Sequence, residues 1–210
     1  MVEGIRIDPA RPLIISDADE VLLQFMAGLE RFLDRHACYM DFASFRIHGN
    51  VKHRASGDTV EDETVTGLLK AFFASETGTL EAVPGAAAAL ADLSKHAQII
   101  ILSNLPETSR LARIENLLGH GIDYPVIAGK GPKGEVVKRM IEDFPQPVVF
   151  IDDLPPHIAS VANETPHVHR LHFIADSRLA RLVPKAPEAH ARIDTWPEAA
   201  AWIADVLGAR

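Results

Sequence analysis

The stretch Pro12-Leu13-Ile14-Ile15-Ser16-Asp17-Ala18-Asp19-Glu20-Val21 carries the strongest signal in the chain. Its short apolar run, rich in β-branched side chains, has the length and composition of a buried strand. The run stops at two carboxylates, Asp17 and Asp19, separated by one small residue. Like charges that close cost stability and do nothing for a core. They make sense if a cation and a reacting group sit beyond the strand end, where open α/β sheets hold their ligands.

The rest of the chain supplies such a sheet. From Pro84 onward, ten-residue helical patterns alternate with short apolar strands. Strands are expected over 98–102, 124–128, 147–151 and 168–174, and helices over 84–97, 107–118 (closed by Gly119), 134–143, 155–163 and 197–207. With the first strand this makes a five-stranded, doubly wound, Rossmann-like parallel sheet of the α/β class. Residues 22–82 break the rhythm. A helix over 20–37 and another over 60–75, the latter started by an Asp58/Glu61 reciprocal cap, flank an irregular segment over 41–58. That stretch reads as a small α-helical cap domain (22–82) inserted into a core formed by 1–21 and 83–210.

Composition narrows the partners. The chain has 210 residues, 47% of them hydrophobic, which suffices for a full core with one small insertion. A net charge of −8 argues against nucleic acid as a partner. The single cysteine, Cys38, precludes an intramolecular disulfide and reads as buried filler in a reducing compartment. No apolar run reaches membrane-spanning length and no leader pattern opens the chain, so a cytoplasmic, membrane-free protein is expected. Oligomeric state leaves no mark in the sequence.

Parallel strands deliver the residues after their C-terminal ends to one edge. Those residues are Asp17 and Asp19, then Ser103 and Asn104, then the loop Gly129-Lys130-Gly131-Pro132-Lys133-Gly134, and then Asp152 and Asp153. Two carboxylate pairs with a hydroxyl and an amine suit phosphoryl transfer through a covalent aspartyl phosphate. One carboxylate attacks phosphorus, and a second acid protonates the leaving alcohol and then activates water. The amine and hydroxyl hold the phosphoryl oxygens. Four acids at one site call for a hard cation, Mg2+ by preference.

These residues, in this order, resemble the haloacid dehalogenase-like hydrolase superfamily over nearly the whole chain. Asp17-Ala18-Asp19-Glu20-Val21 is similar to its first motif, DxDx(T/V), Ser103 to its second, Lys133 to its third and Asp152-Asp153 to its fourth. The insertion is similar to the cap found between the first two motifs. The resemblance implies Asp17 as nucleophile and Asp19 as general acid/base. It implies Mg2+ held by Asp17, the Asp19 backbone carbonyl and Asp153, with Asp152 in support. An acid at position 19 points to phosphatases or phosphomutases, because dehalogenases of the family lack it. The expected substrate is a small phosphorylated metabolite. Two positions depart from the common pattern: Glu20 stands where glycine is frequent, and His157 where an acid or asparagine is common.

Other arrangements compete. Lys130 is an alternative to Lys133 for the phosphate; Lys133 is preferred because it directly precedes the helix Gly134-Glu135-Val136. Gly129-x-Gly131-x-x-Gly134 also spells a dinucleotide-binding loop, although Pro132 and Lys133 crowd it and it leaves Asp17 and Asp19 without a role. A phosphoacceptor receiver would place its acids in a different strand order, and a noncatalytic relative would keep the same residues without turnover. In the cap, residues 42–57 contain Arg46, His48, Lys52, His53 and Arg54 and no acid. Arg46, His48 and Asn50 are therefore candidates for attracting an anionic substrate. His120, His167, His169, His172 and His190 show no metal spacing and read as surface or satisfied core residues.

Overall fold

Leu13–Ser16 forms strand β1, buried along its whole length. Burial on both faces follows from its position in the middle of a parallel sheet. The computed structural model describes residues 5–208. After β1 come α1 (Phe25–Arg35), β2 (Cys38–Met40), β3 (Val51–His53), α2 (Asp62–Glu76), α3 (Ala86–Leu93) and β4 (Gln98–Asn104). A 3-10 turn, Glu107–Ser109, leads into α4 (Arg110–Gly119), then β5 (Val126–Gly129), α5 (Gly134–Met140), β6 (Val148–Asp152) and α6 (Pro155–Glu164). The chain continues through β7 (His169–His172), α7 (Ser177–Ala180), β8 (Ala191–Arg192) and α8 (Trp196–Val206).

The main sheet runs β5-β4-β1-β6-β7-β8, with every pairing parallel. Alternation along each strand divides the core between two faces. Ile14, Ile101 and Val149 join one cluster, with Leu90 of α3, Leu117 of α4 and Ile203 of α8. Leu13, Ile15, Ile100 and Phe150 join the other, with Val137 of α5 and Val161 of α6. Helices on both faces make the sheet doubly wound, as the strand–helix alternation requires.

The sheet has six strands where the sequence suggests five. The sixth, β8, is two residues long in a stretch with no apolar run, so periodicity gives no sign of it. The inserted segment is also less helical than expected, because β2 and β3 pair antiparallel within it. Cys38 lies on β2, buried. The first long helix begins at Phe25 rather than Glu20. Glu20 adopts a left-handed φ of 57°, the conformation that makes glycine common at such a position. Its side chain compensates by accepting hydrogen bonds from the backbone N–H of Met26 (2.6 Å) and Asp176 (2.9 Å). No Asp58/Glu61 cap forms; α2 starts at Asp62 without a side-chain cap. Gly121, not Gly119, supplies the left-handed residue after α4.

The insertion leaves and rejoins the sheet at one place. Val83 N donates to Leu22 O and Gln24 N to Glu81 O, so the two connecting limbs lie side by side. Phe25 and Phe32 of α1 pack edge-on against Phe72 of α2. From α4, Asn116 Nδ2 donates to Leu80 O and His120 Nε2 bonds the same carbonyl, which grips the returning limb.

Candidate active site

Because the strands of the main sheet run parallel, Asp17, Ser103 and Asp152 emerge at the same edge of neighbouring strands. Ser16 sits in register with Ile101 on one side and Ile151 on the other. Asp152 and Asp153 therefore flank Asp17 directly, and Asp17, Asp152 and Asp153 offer oxygens within 4.8 Å of one another. All three are buried.

Lys133, 1% exposed, reaches into this cluster from the residue before α5. Its amine lies 2.7 Å from Asp152 Oδ2 and 3.0 Å from Asp17 Oδ1. Burial works against the charge on this amine, but the two carboxylates outweigh it and hold the lysine protonated. Asp152 is the best satisfied of the acids. It also accepts from Leu154 N (2.9 Å) and meets His157 Nδ1 (3.1 Å); Lys133, with His157, overcomes burial and lowers its pKa. Asp17 Oδ1 accepts from Ala18 N, while Oδ2 has no hydrogen bond among the described residues. Burial, opposed by Lys133 and reinforced by Asp152 and Asp19, pushes Asp17 up to about 6. Asp153, buried beside Asp152, Asp17 and Glu20, is raised well above the ordinary carboxylate range. Burial likewise raises Glu20 to about 7, against its two backbone hydrogen bonds.

Three carboxylates against one ammonium leave a buried excess of negative charge made of hard oxygen donors. That donor set fits a hard divalent cation of the magnesium or calcium type. The Ser103 hydroxyl, fully buried, has no hydrogen-bond partner among the described residues.

His157 does not add a metal-facing acid. With Nδ1 against Asp152 and Nε2 3.2 Å from Asn104 Nδ2, it links the acid cluster to the end of β4. Asn104 spends its amide donor on Gly131 O (2.9 Å) and on that histidine. It therefore ties the loop after β5 to the end of β4 instead of offering donors to a phosphate. His172 is a satisfied core residue: Nε2 bonds the Asp153 carbonyl and Nδ1 accepts from Ala186 N, which fixes the backbone under Asp153.

A cavity of about 190 Å³ opens over Asp17, Asp19 and Asp153. The cap loop contributes Phe45 and Ile47 to it, not the polar residues expected there. Arg46 and His48 alternate with those two and are exposed, with His48 Nε2 against Thr66 Oγ1. Asn50 is buried within the loop and donates to Ser44 O and Arg46 O. Periodicity of two along a loop explains the reversal: one parity faces the site and the charged parity faces water.

Two residues had no place in the sequence reading. Arg113, on the buried stripe of α4 with Asn116 and Leu117, meets Asp19 Oδ1 at 2.7 Å. An arginine on the apolar face of a helix is a legible signal, since an unpaired cation is not tolerated there. Phe73 forms a wall of the cavity from α2, hidden among the apolar stripe of that helix.

Element order, an all-parallel sheet, and an insertion between the first strand and the next define the haloacid dehalogenase-like fold. A haloacid dehalogenase-like hydrolase from Burkholderia xenovorans LB400 matches with a TM-score of 0.65 at 14% identity, over 94% of this chain and 98% of that one. A family hydrolase from Deinococcus radiodurans R1, solved with bound phosphate and sodium, matches with a TM-score of 0.62 at 17% identity, over 95% and 97%. A hydrolase from Bacillus subtilis bound to magnesium gives 0.63 at 14% identity, over 92% and 98%. The same fold also serves a β-phosphoglucomutase from Thermotoga maritima and a defluorinating L-2-haloacid dehalogenase. No family model and no curated protein sequence matches the chain. No helix among the described residues is long and apolar enough to cross a membrane.

Proposed function

We propose that the protein is a Mg2+-dependent phosphatase of a small phosphorylated metabolite, working through a phosphoaspartate on Asp17. The observation that carries this is the buried Lys133 amine set between Asp17 and Asp152, beside a third buried acid. Asp17 Oδ2, without a hydrogen bond among the described residues, forms the new bond to phosphorus as the ester P–O bond breaks. Lys133 and the Ser103 hydroxyl hold phosphoryl oxygens. Asp19 gives its proton to the leaving alkoxide, then takes one from the water that releases inorganic phosphate and regenerates the Asp17 carboxylate. Asp17, Asp153 and the Asp19 carbonyl would hold Mg2+, whose charge offsets that of the phosphoryl oxygens. Magnesium and phosphate in neighbouring structures of this fold support the choice of ion and substrate.

The acid at position 19 favours ester cleavage over carbon–halogen cleavage. A departing halide needs no proton, whereas an alkoxide does. A dinucleotide site in the loop 129–134 has less support. Gly134 N already donates to Ser160 Oγ, and Lys133 is committed to the acid cluster.

A panel of phosphate esters and 2-haloacids, assayed with and without Mg2+ on the wild type and on Asp17→Asn, tests the reading. Ester turnover that needs both Mg2+ and Asp17 is expected. Turnover of haloacids only, or full ester activity in the Asn variant, overturns it.

A further inference from the structure

A second cavity, of about 630 Å³, lies between α2 and the loops that follow β4 and β5. It shares two wall residues, Phe73 and Asn104, with the cavity over Asp17, so the two spaces adjoin. Its size falls in the range of small-molecule sites. The inner walls are apolar: Leu69 and Phe73 from α2, Leu105 after β4 and Ala128 on β5. Its rim carries Lys70 on α2 and Lys130 in the loop after β5, both exposed.

Those two lysines are unlike the other five. Lys52, Lys95, Lys133, Lys138 and Lys185 each make a hydrogen bond or ion pair. Lys70 and Lys130 make neither among the described residues. In a chain of net charge −8, the two uncommitted lysines line one cavity from opposite elements. The only acid on the same wall, Glu107, is already paired with Arg110 at 2.6 Å.

We propose that this cavity receives the leaving group of the phosphate ester, and that the leaving group has an apolar body ending in a second anion. The assignment rests on the phosphatase reading of the adjoining site. The apolar body covers Phe73, Leu69 and Leu105, and the terminal anion, a carboxylate or a second phosphate, meets Lys70 and Lys130 at the rim. Lys130 thus serves the far end of the substrate while Lys133 serves the reacting phosphate.

Two measurements test this separately from the chemistry. The first is calorimetric binding of the dephosphorylated alcohol 3-(4-hydroxyphenyl)propanoate, compared with its neutral amide and with 4-hydroxybenzyl phosphonate as the phosphate-like arm. At least one anion is expected to bind about tenfold more tightly than the amide at low salt, with the preference shrinking as ionic strength rises. Lys70→Gln/Lys130→Gln should abolish that preference. The second is turnover of phenyl phosphate and 3-(4-phosphooxyphenyl)propanoate. The same double variant is expected to raise KM for the anionic ester about tenfold while leaving kcat/KM for phenyl phosphate unchanged. Equal binding of anions and amide, or an anion preference that survives the double variant, overturns the proposal even if phenyl phosphate is hydrolysed. Absence of all ester turnover alongside lysine-dependent anion binding would instead remove the phosphatase reading and leave an anion-binding cavity.

Discussion

The guanidinium of Arg113 lies 2.7 Å from the carboxylate of Asp19, and Arg113 is completely buried. None of its three nitrogens has a hydrogen bond among the described residues, so the contact is one of charge and not of hydrogen-bond geometry. Asp19 keeps 17% of its side chain exposed, on the wall of the cavity that holds Asp17. Through Asn116 and His120, the helix carrying Arg113 also grips the limb by which the cap returns. The acid proposed for proton transfer is thus tied to the part of the core that anchors the cap.

The asymmetry of that pair gives a stability prediction. Asp19→Ala strands a fully buried cation, which costs about 3 kcal/mol. Arg113→Met leaves a carboxylate with access to solvent and replaces the cation with an apolar chain of similar length, so it costs less. The double variant should recover part of the Asp19→Ala loss. Urea unfolding of the four proteins measures the cycle, and a larger cost for Arg113→Met than for Asp19→Ala would contradict the account.

The fold and the meeting of Asp17, Lys133, Asp152 and Asp153 at one edge were legible because strand ends and strand order fix them together. Chemistry carried by side-chain direction was not. Arg46 and His48 share a loop with the cavity-lining Phe45 and Ile47, yet only contacts with the rest of the cap decide which parity turns inward. Asn104 stands at the right place, but its amide is committed to Gly131 and His157, partners 27 and 53 residues away. The strand β8 and the pair β2–β3 are too short for periodicity to mark, since each is specified by its neighbour in the sheet. Glu20 looked out of place by motif alone, and its two backbone partners explain how it is kept.

The raised carboxyls set a pH dependence. Asp17 rises from 3.8 to about 6 and Glu20 from 4.5 to about 7, so between about pH 4.5 and 7 these two groups hold more protons in the folded metal-free protein than in the unfolded chain. Stability from these groups is fully present below the unfolded values and is lost as pH rises through the folded ones. Asp152 and Asp176, which are lowered, act below this window, whereas His169, His172 and His190, lowered by burial and nearby cations, act within it and in the opposite sense. The Glu20 shift alone is worth about 3 kcal/mol. Relative to Glu20→Gln, the wild type without divalent ions should therefore lose Tm from pH 4.5 to 7.5. Added Mg2+ should raise Tm at pH 7.5 and do little at pH 4.5, where protons compete for Asp17 and Asp153. A flat profile with no response to the ion would sink the metal-site reading.

The inward parity of the cap loop makes a kinetic prediction. Arg46→Ala and His48→Ala are expected to leave KM for active esters within about twofold, because exposed charges act weakly. Phe45→Ala removes an apolar wall of the cavity over Asp17 and should raise KM several-fold. Steady-state kinetics on all three variants decide the point, and a larger effect for Arg46 than for Phe45 would restore the charged face as the substrate contact.

Gly134 is the glycine of the 129–134 loop whose smallness is enforced by backbone packing, whereas a Cβ at Gly129 would meet the Asn104 side chain at 2.8 Å. A Cβ at Gly134 would overlap the Ser160 carbonyl oxygen and hydroxyl, because α5 and α6 approach closely at this position. Backbone cannot swing aside as a flexible side chain can, so Gly134→Ala must push α5 away from α6, at about 2 kcal/mol. Lys133 directly precedes this helix, and its amine has to stay within 3.0 Å of Asp17. The same displacement should therefore lower kcat as well as stability. Ser160→Ala separates the two effects. It removes the bond from Gly134 N, 2.9 Å long, without forcing the helices apart, so it should cost about 1 kcal/mol and leave kcat close to wild type. Unfolding and turnover measured on both variants test the link, and a Gly134→Ala protein that is destabilised yet turns over normally would show that Lys133 is held by its carboxylates alone, independently of the helix behind it.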